Sequence, residues 1–256
     1  MKALDKVPTS RHVNNCINDV VTIMKAHINE IFSSIQGEGK LIGRRQIFVR
    51  FSGCNLHCNY CDTPQGLDPK SGSSFSEEQL FNSVTKLMTP DFHSISLTGG
   101  EPLVHADFIR SFLEKYDFDC LLETNGSLPD EMEKIAELIK YASLDIKLPE
   151  HRSTSNWDNL FKDELKSLNL LIDNKTNIYC KIVILPSTKV DAIELIASRI
   201  LDEISDASRL SMVIQPAYPL NHWIENNEKL FEFSEAVGNY LDVLTIPQVH
   251  KLLEVR

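Results

Sequence analysis

Apolar positions along the chain gather into short runs: QIFVRF (46–51), SISLT (94–98), CLLET (120–124), SLDIKL (143–148), NIYCKIVIL (177–185), RLSMVIQ (209–215) and DVLTI (242–246). Runs of this length, rich in β-branched and aromatic residues, read as strands. Helical spacing fills the intervals. After Ser76, one face is formed by Leu80, Val84 and Leu87. Ser76 and Gln79 have capping-box spacing there, and Phe75 and Leu80 have that of a hydrophobic staple. A second helix is marked by Ile193, Ile196, Ala197, Ile200 and Ile204, and a third by Met132, Ile135, Leu138 and Ala142. Strand and helix alternate about six times, which predicts an α/β fold with parallel strands joined by right-handed crossovers. The expected architecture is a closed or partly closed (βα) barrel in one compact domain. Ligands in such folds meet the C-terminal ends of the strands. The conspicuous polar and glycine-rich segments fall there: SGC after the first run, TGGEP after the second, ETNG after the third, DIK at the end of the fourth and QP at the end of the sixth.

Residues 1–26 read as an N-terminal extension and 27–256 as the core domain, with no linker dividing it. Hydrophobic residues make up 42% of the chain and charged residues 24%, ordinary values for a globular enzyme. The net charge of −10 opposes contact with phosphate backbones, so no nucleic-acid partner is expected. No apolar run approaches the roughly 18 residues of a membrane span. Lys2, Asp5, Lys6, Arg11, Asp19 and Lys25 interrupt the N-terminus, unlike a signal peptide. No membrane partner is expected either, and the expected compartment is the cytoplasm. The chain has six cysteines, which a reducing compartment keeps from pairing. Cys120 and Cys180 sit in apolar runs and read as core residues. Cys16 has no informative context.

The remaining three cysteines lie in GCNLHCNYCDT, as Cys54, Cys58 and Cys61. Structural zinc wants four Cys or His ligands. His57 is the only nearby candidate, and directly before Cys58 it is hard to turn toward the same metal. Thiolates also hold iron–sulfur clusters, and a [4Fe–4S] cube that only carries electrons takes four. Three would leave one iron open, the condition under which a metal site meets a substrate. One βα unit later come Gly99, Gly100, Glu101 and Pro102. The glycines let backbone approach a ligand closely, although GGEP alone also fits a plain turn.

Cys-x3-Cys-x2-Cys after a first strand, followed by GGEP, resembles the radical S-adenosylmethionine (SAM) superfamily. The resemblance implies a partial (βα)6-type barrel of parallel strands and a [4Fe–4S] cluster whose open iron binds the amino and carboxylate groups of SAM. An electron passed to the sulfonium then gives a 5′-deoxyadenosyl radical. The order EIFSSIQGEG (30–39), FVRFSGCNLHCNYCDT, TGGEP and PQVHK near the C-terminus resembles the 7-carboxy-7-deazaguanine synthase family. This narrower likeness implies a carbon–nitrogen lyase. It converts 6-carboxy-5,6,7,8-tetrahydropterin to 7-carboxy-7-deazaguanine by magnesium-dependent ring contraction with loss of ammonia, in queuosine or archaeosine biosynthesis.

The family likeness also implies roles. Cys54, Cys58 and Cys61 hold the cluster. Tyr60, Cys61, Asp62, Gly99, Gly100 and Glu101 fall in its SAM-binding segments, as do Asp145, Ile146 and Lys147, with Glu123 and Gln215 as looser matches. Ile35, Gln36, Gly37 and Glu38 face the pterin, Arg50 holds the substrate carboxylate, and Thr98 and His250 lie near the substrate. Thr63 is the magnesium ligand, which makes sense only beside substrate oxygens because magnesium keeps several oxygen ligands. Plainer readings stand beside several of these: Gln36 as a polar turn residue, Arg50 as a surface arginine, Thr63 as a helix N-cap and Lys147 as a strand-end surface lysine. Loop 64–74 is rich in turn formers and reads as a cover for the magnesium end of the pocket. The terminal carboxylate of Arg256 is a further candidate for the site. Partners implied are an electron donor such as flavodoxin or ferredoxin and, by family analogy, a second copy of the chain. Two other functions share the cysteine spacing or a metal site: an activase of a glycyl radical protein, and a metal-binding module without catalysis. Cys58→Ala is expected to abolish both cluster and activity, which iron content and visible absorbance would read directly.

Overall fold

The parallel strands of this chain each carry two faces, and the fold follows from keeping them apart. The computed structural model describes residues 24–255. Cys16 and the carboxylate of Arg256 lie outside the described residues, as does most of the segment read as an extension. The chain enters through β1 (Lys25–Ile35), β2 (Arg45–Phe51) and β3 (Ser73–Ser76), then helix α1 (Glu77–Leu87). It continues through β4 (Phe92–Gly99), α2 (Ala106–Lys115), β5 (Cys120–Thr124), α3 (Pro129–Ile135), β6 (Tyr141–Asp145) and α4 (Trp157–Asp173). It ends through β7 (Asn177–Ile184), α5 (Val190–Glu203), β8 (Ser211–Pro216), α6 (Asn221–Glu225), α7 (Glu228–Gly238), β9 (Asp242–Thr245) and α8 (Val249–Leu252). The strands form one sheet in the order β3-β1-β2-β4-β5-β6-β7-β8-β9. From β2 through β4 to β9 all neighbours are parallel, and β1 is antiparallel to both β2 and β3. β3 and β9 are the edges, so the barrel is partial.

Alternation along each strand sorts the sheet. Ile47, Val49 and Phe51 on β2, Ile95 and Leu97 on β4, Leu144 and Ile146 on and after β6, Ile182 and Ile184 on β7, and Met212 and Ile214 on β8 all join the helix-covered core. Each such side chain contributes about 1.5–3 kcal/mol on burial. The residues between them, among them Arg50, Thr98, Glu123, Asp145, Lys181 and Gln215, face the concave side. Register sets them side by side: Arg50 lies next to Thr98, Glu123 next to Ser143 and Asp145 next to Lys181.

All seven apolar runs contain strands, although β6 ends at Asp145 and leaves the last three residues of SLDIKL outside it. The capping box before α1 forms: the Gln79 N–H donates to Ser76 Oγ at 3.3 Å and the Ser76 N–H donates to Gln79 Oε1 at 2.8 Å. The α5 residues Ile193, Ile196, Ala197 and Ile200 are buried on one face, with Ile204 just beyond its end. The third helix is shorter than its spacing predicts. α3 stops at Ile135, a 3-10 turn covers Ala136–Leu138, and Ala142 lies in β6. Ala142 is apolar because it faces helices from the sheet, so its spacing from Leu138 is coincidental. β1 was not legible as a strand because most of its side chains are half-exposed and of mixed polarity. Lys25 and Ala26 belong to it, with Ala26 fully buried, so the sheet begins within the last two residues of the segment read as an extension.

Candidate active site

A cavity of about 700 Å³ opens on the concave face at the C-terminal ends of the parallel strands. Among the described residues, every one assigned a role from the sequence lines it except Ile146. Alternation turns the Ile146 side chain into the helix-facing core, and its N–H donates to the Lys181 carbonyl at 2.8 Å.

The cysteine loop leaves β2 through Ser52 and Gly53 and is held from two sides. The Gly100 N–H donates to the Phe51 carbonyl at 3.0 Å and the Glu101 N–H to the Gly53 carbonyl at 2.7 Å. A Cβ on Gly100 would lie 2.0 Å from Gly53 O, so only glycine permits this contact. On the far side, the His57 N–H donates to Ser153 O at 3.2 Å and the Asn59 N–H to His151 O at 3.1 Å. Cys54, Cys58 and Cys61 are free thiols, half-buried and facing the cavity. His57 is exposed and off the cavity, which removes it as a fourth zinc ligand. Among the described residues, no three His, Cys, Asp or Glu side chains meet closely enough to ligate one ion. A cube takes one thiolate at each ligated iron, so separated thiols around a shared volume fit it. Burial pushes the Cys54 thiol up to about 11, and its thiolate therefore needs a cationic partner such as iron.

Glu101 is committed within the protein. Its carboxylate accepts from the Leu103 N–H at 2.9 Å, the Thr124 hydroxyl at 2.6 Å and the Asn125 N–H at 2.8 Å. It ties the GGEP turn to the end of β5. Burial pushes its carboxyl above the usual range.

An ionic chain crosses the floor. Lys181 Nζ lies 2.6 Å from Glu38 Oε2 and 3.8 Å from Asp145 Oδ1. Lys147 Nζ lies 2.9 Å from Asp145 Oδ2 and donates to Tyr60 Oη at 3.0 Å. Gln248 Nε2 donates to Glu38 Oε1 at 2.8 Å. Burial alone would raise the Glu38 carboxyl, but Lys181 and the Gln248 amide outweigh it and hold it at about 2. Burial likewise opposes charge on Lys181 and Lys147, and Asp145 with their other partners reverses this, raising both. Lys147 is buried and not a surface lysine. Asp145 Oδ1 and Gln215 Oε1 are buried without a hydrogen bond from the described residues, two acceptors turned to a ligand volume.

The wall built from the end of β1 and from β2 is equally fixed. Gln36, buried and not a solvated turn residue, donates from Nε2 to Gln46 Oε1 and to Glu123 Oε1, each at 2.9 Å, and accepts the Glu38 N–H at 3.0 Å. Burial, then repulsion from Glu38, raises the Glu123 carboxyl. Arg50 pairs through Nε with Glu30 at 3.2 Å and lies 5.9 Å from the centre of the Phe32 ring. Phe32 and Phe48 stack at 5.1 Å on the adjoining wall. Thr63 precedes a 3-10 turn without capping it through its side chain, so the N-cap reading is not realised. In loop 64–74 only Leu67 lines the cavity, and the loop runs on into β3 against β1. The C-terminal α8 closes over the first motif: the Val249 N–H donates to Gly37 O at 2.9 Å, and a Cβ on Gly37 would meet His250 Nδ1 at 2.4 Å. Burial keeps the His250 ring toward its neutral form. Sequence reasoning missed Lys181, Gln248 and the Phe32–Phe48 wall. Lys181 carried the same signal as Arg50, a cation inside an apolar strand, and Gln248 sits within the PQVHK motif.

Residues 35–162 match the family model described as "4Fe-4S single cluster domain". The fold aligns with the crystal structure of QueE from Escherichia coli at a TM-score of 0.57, covering 86% of this chain and 93% of that one at 19% identity. Fold and cysteine loop together define a radical SAM-type [4Fe–4S] protein. The 7-carboxy-7-deazaguanine synthase of Methanothermobacter thermautotrophicus is 48% identical over 91% of this chain and 99% of its own length. That of Methanocaldococcus jannaschii is 38% identical over 88% and 98%. The chain belongs to the 7-carboxy-7-deazaguanine synthase family.

Removing the central cation should expose two acids to each other. Lys181→Met is expected to cost about 3–5 kcal/mol near neutral pH, the penalty of leaving buried charge unpaired. Because the Glu38 carboxyl is depressed, its pairing stabilises above the ordinary value of 4.5 and is lost as pH falls toward about 2. The gap between variant and parent in urea denaturation should therefore narrow across that acid range.

Proposed function

We propose that this chain is the lyase that forms 7-carboxy-7-deazaguanine from 6-carboxy-5,6,7,8-tetrahydropterin by magnesium-dependent ring contraction with release of ammonia, in queuosine or archaeosine biosynthesis. One observation carries the reading: the three free thiols and the polar residues of the IQGEG and PQVHK segments line the same cavity. Bound there, the cluster and SAM supply a carbon-centred radical that abstracts hydrogen from a carbon of the substrate. Cys54, Cys58 and Cys61 hold the cluster. Asp145 Oδ1 and Gln215 Oε1, both buried acceptors that take no hydrogen bond from the described residues, receive donors of SAM, and the Lys147 ammonium orders Asp145 beside them. Glu38, held ionised by Lys181, accepts from the amino group and ring N–H of the pterin, with Gln36 locked alongside. Arg50, oriented by Glu30, takes the substrate carboxylate through its guanidinium fork. His250, held toward its neutral form, is placed to carry a proton. Thr63 offers one hydroxyl to a magnesium ion that completes its shell with substrate oxygens and water. Stacked Phe32 and Phe48 keep water from that wall.

The exposed Asn55, His57 and Asn59 put the cluster loop at the surface, where a donor such as flavodoxin or ferredoxin would reduce it. Cytoplasmic residence and a homodimer complete the proposal. Anaerobic protein incubated with SAM, reductant and 6-carboxytetrahydropterin should yield 7-carboxy-7-deazaguanine by mass spectrometry. Absence of any deazapurine product would overturn the assignment. In the same assay, Arg50→Ala should raise the pterin KM by about 10- to 100-fold, the loss of a charged hydrogen bond, while SAM cleavage continues uncoupled from product.

A further inference from the structure

α4 carries polar side chains where its periodicity calls for apolar ones. Leu160, Phe161, Leu165 and Leu168 are buried on its inner face, and so are Glu164 and Ser167. Each of the two reaches a backbone group at the strand ends. Glu164 Oε1 accepts the Lys147 N–H at 3.1 Å, and Ser167 Oγ donates to the Gly126 carbonyl at 2.7 Å. Two turns before Glu164, Trp157 Nε1 donates to the Lys147 carbonyl at 2.5 Å. The Lys147 peptide is thus gripped at both its N–H and its C=O by one helix. From that peptide the side chain runs to the cavity, where Nζ bridges Asp145 and the hydroxyl of Tyr60, between Cys58 and Cys61.

Neither Glu164 nor Trp157 lines the cavity. Among the described residues Glu164 Oε2 has no hydrogen-bond partner, and burying a carboxyl with one oxygen unsatisfied is costly. A leucine would fill the position without that cost, so packing does not account for the acid. Among the described residues, the one hydrogen bond its side chain makes is to Lys147.

We propose that Glu164 is a positioning residue for SAM binding. From α4 it fixes the Lys147 peptide, and through it the ammonium that orders Asp145 and the tyrosine of the cluster loop. This rests on the SAM site assigned above. The direct test is SAM affinity of the cluster-loaded protein by calorimetry, with pterin affinity and iron content measured in parallel. Glu164→Leu should weaken SAM by about tenfold or more, the loss of one buried hydrogen bond, with pterin affinity and iron content unchanged. Glu164→Gln keeps the acceptor and should restore SAM affinity to within about threefold. Trp157→Phe keeps the ring stacked on Phe161, 5.3 Å away, removes only the N–H to Lys147, and should also weaken SAM alone. It serves if Glu164→Leu does not fold. Unchanged SAM affinity in either folded variant would overturn the proposal, and so would equal losses for SAM, pterin and iron. A parent protein that binds SAM yet forms no deazapurine would sink the proposed reaction while leaving this test intact.

Discussion

Lys181 stands where four distant parts of the chain meet. Its ammonium pairs with Glu38, from the turn after the first strand, and with Asp145, from the end of β6. Glu38 in turn takes the amide of Gln248 from the C-terminal segment, and Asp145 takes Lys147, which reaches the cysteine loop through Tyr60. Charges this deep are tolerated only in mutual compensation, since an isolated one would lose its hydration without return. The terms are coupled. Acids and lysines alternate along the chain of contacts, so Glu38, Lys147 and Lys181 are each held charged by a neighbour. The arrangement therefore fixes both the shape of the floor and its charge.

The sheet makes this arrangement affordable. Strict alternation sends Val49, Leu97, Leu144 and Ile182 to the helices and Arg50, Thr98, Asp145 and Lys181 to the cavity. One face supplies the stabilising burial, and the other is free to be polar. A one-residue slip would exchange the two faces, so the same register that builds the core also aims the site. The glycines act locally within this frame. Gly100 lets the GGEP turn lie directly on the root of the cysteine loop, and Gly37 lets His250 lie directly on the turn after β1.

Much of the fold could be read from the residues because its signals are periodic. The parallel strands and α5 are uninterrupted apolar patterns, and the N-terminus of α1 is a local hydrogen-bond device. Ala142 shows the weakness of that reading: an apolar residue at helical spacing was in a strand, since both settings bury it. β1 was lost because a strand paired on both sides, with most of its side chains half-exposed, has no clear pattern. The site was legible where chemistry is spelled in contiguous residues, as in GCNLHCNYCDT, TGGEP and DIK. It was illegible where function depends on register across strands. Lys181 is visible in the sequence only as a lysine in an apolar run, and Glu164 only as an acid at a core position of a helix. What each is for depends on neighbours far away in the chain.

The proposed chemistry requires Cys54, Cys58 and Cys61 to hold an iron–sulfur cube with one iron left open to SAM. Electron paramagnetic resonance of the anaerobically loaded, reduced protein, recorded with and without SAM, addresses that most directly. SAM should shift the cluster signal, as coordination at an open iron requires. A signal identical in both samples, or a thiol loop that holds only zinc, would contradict it.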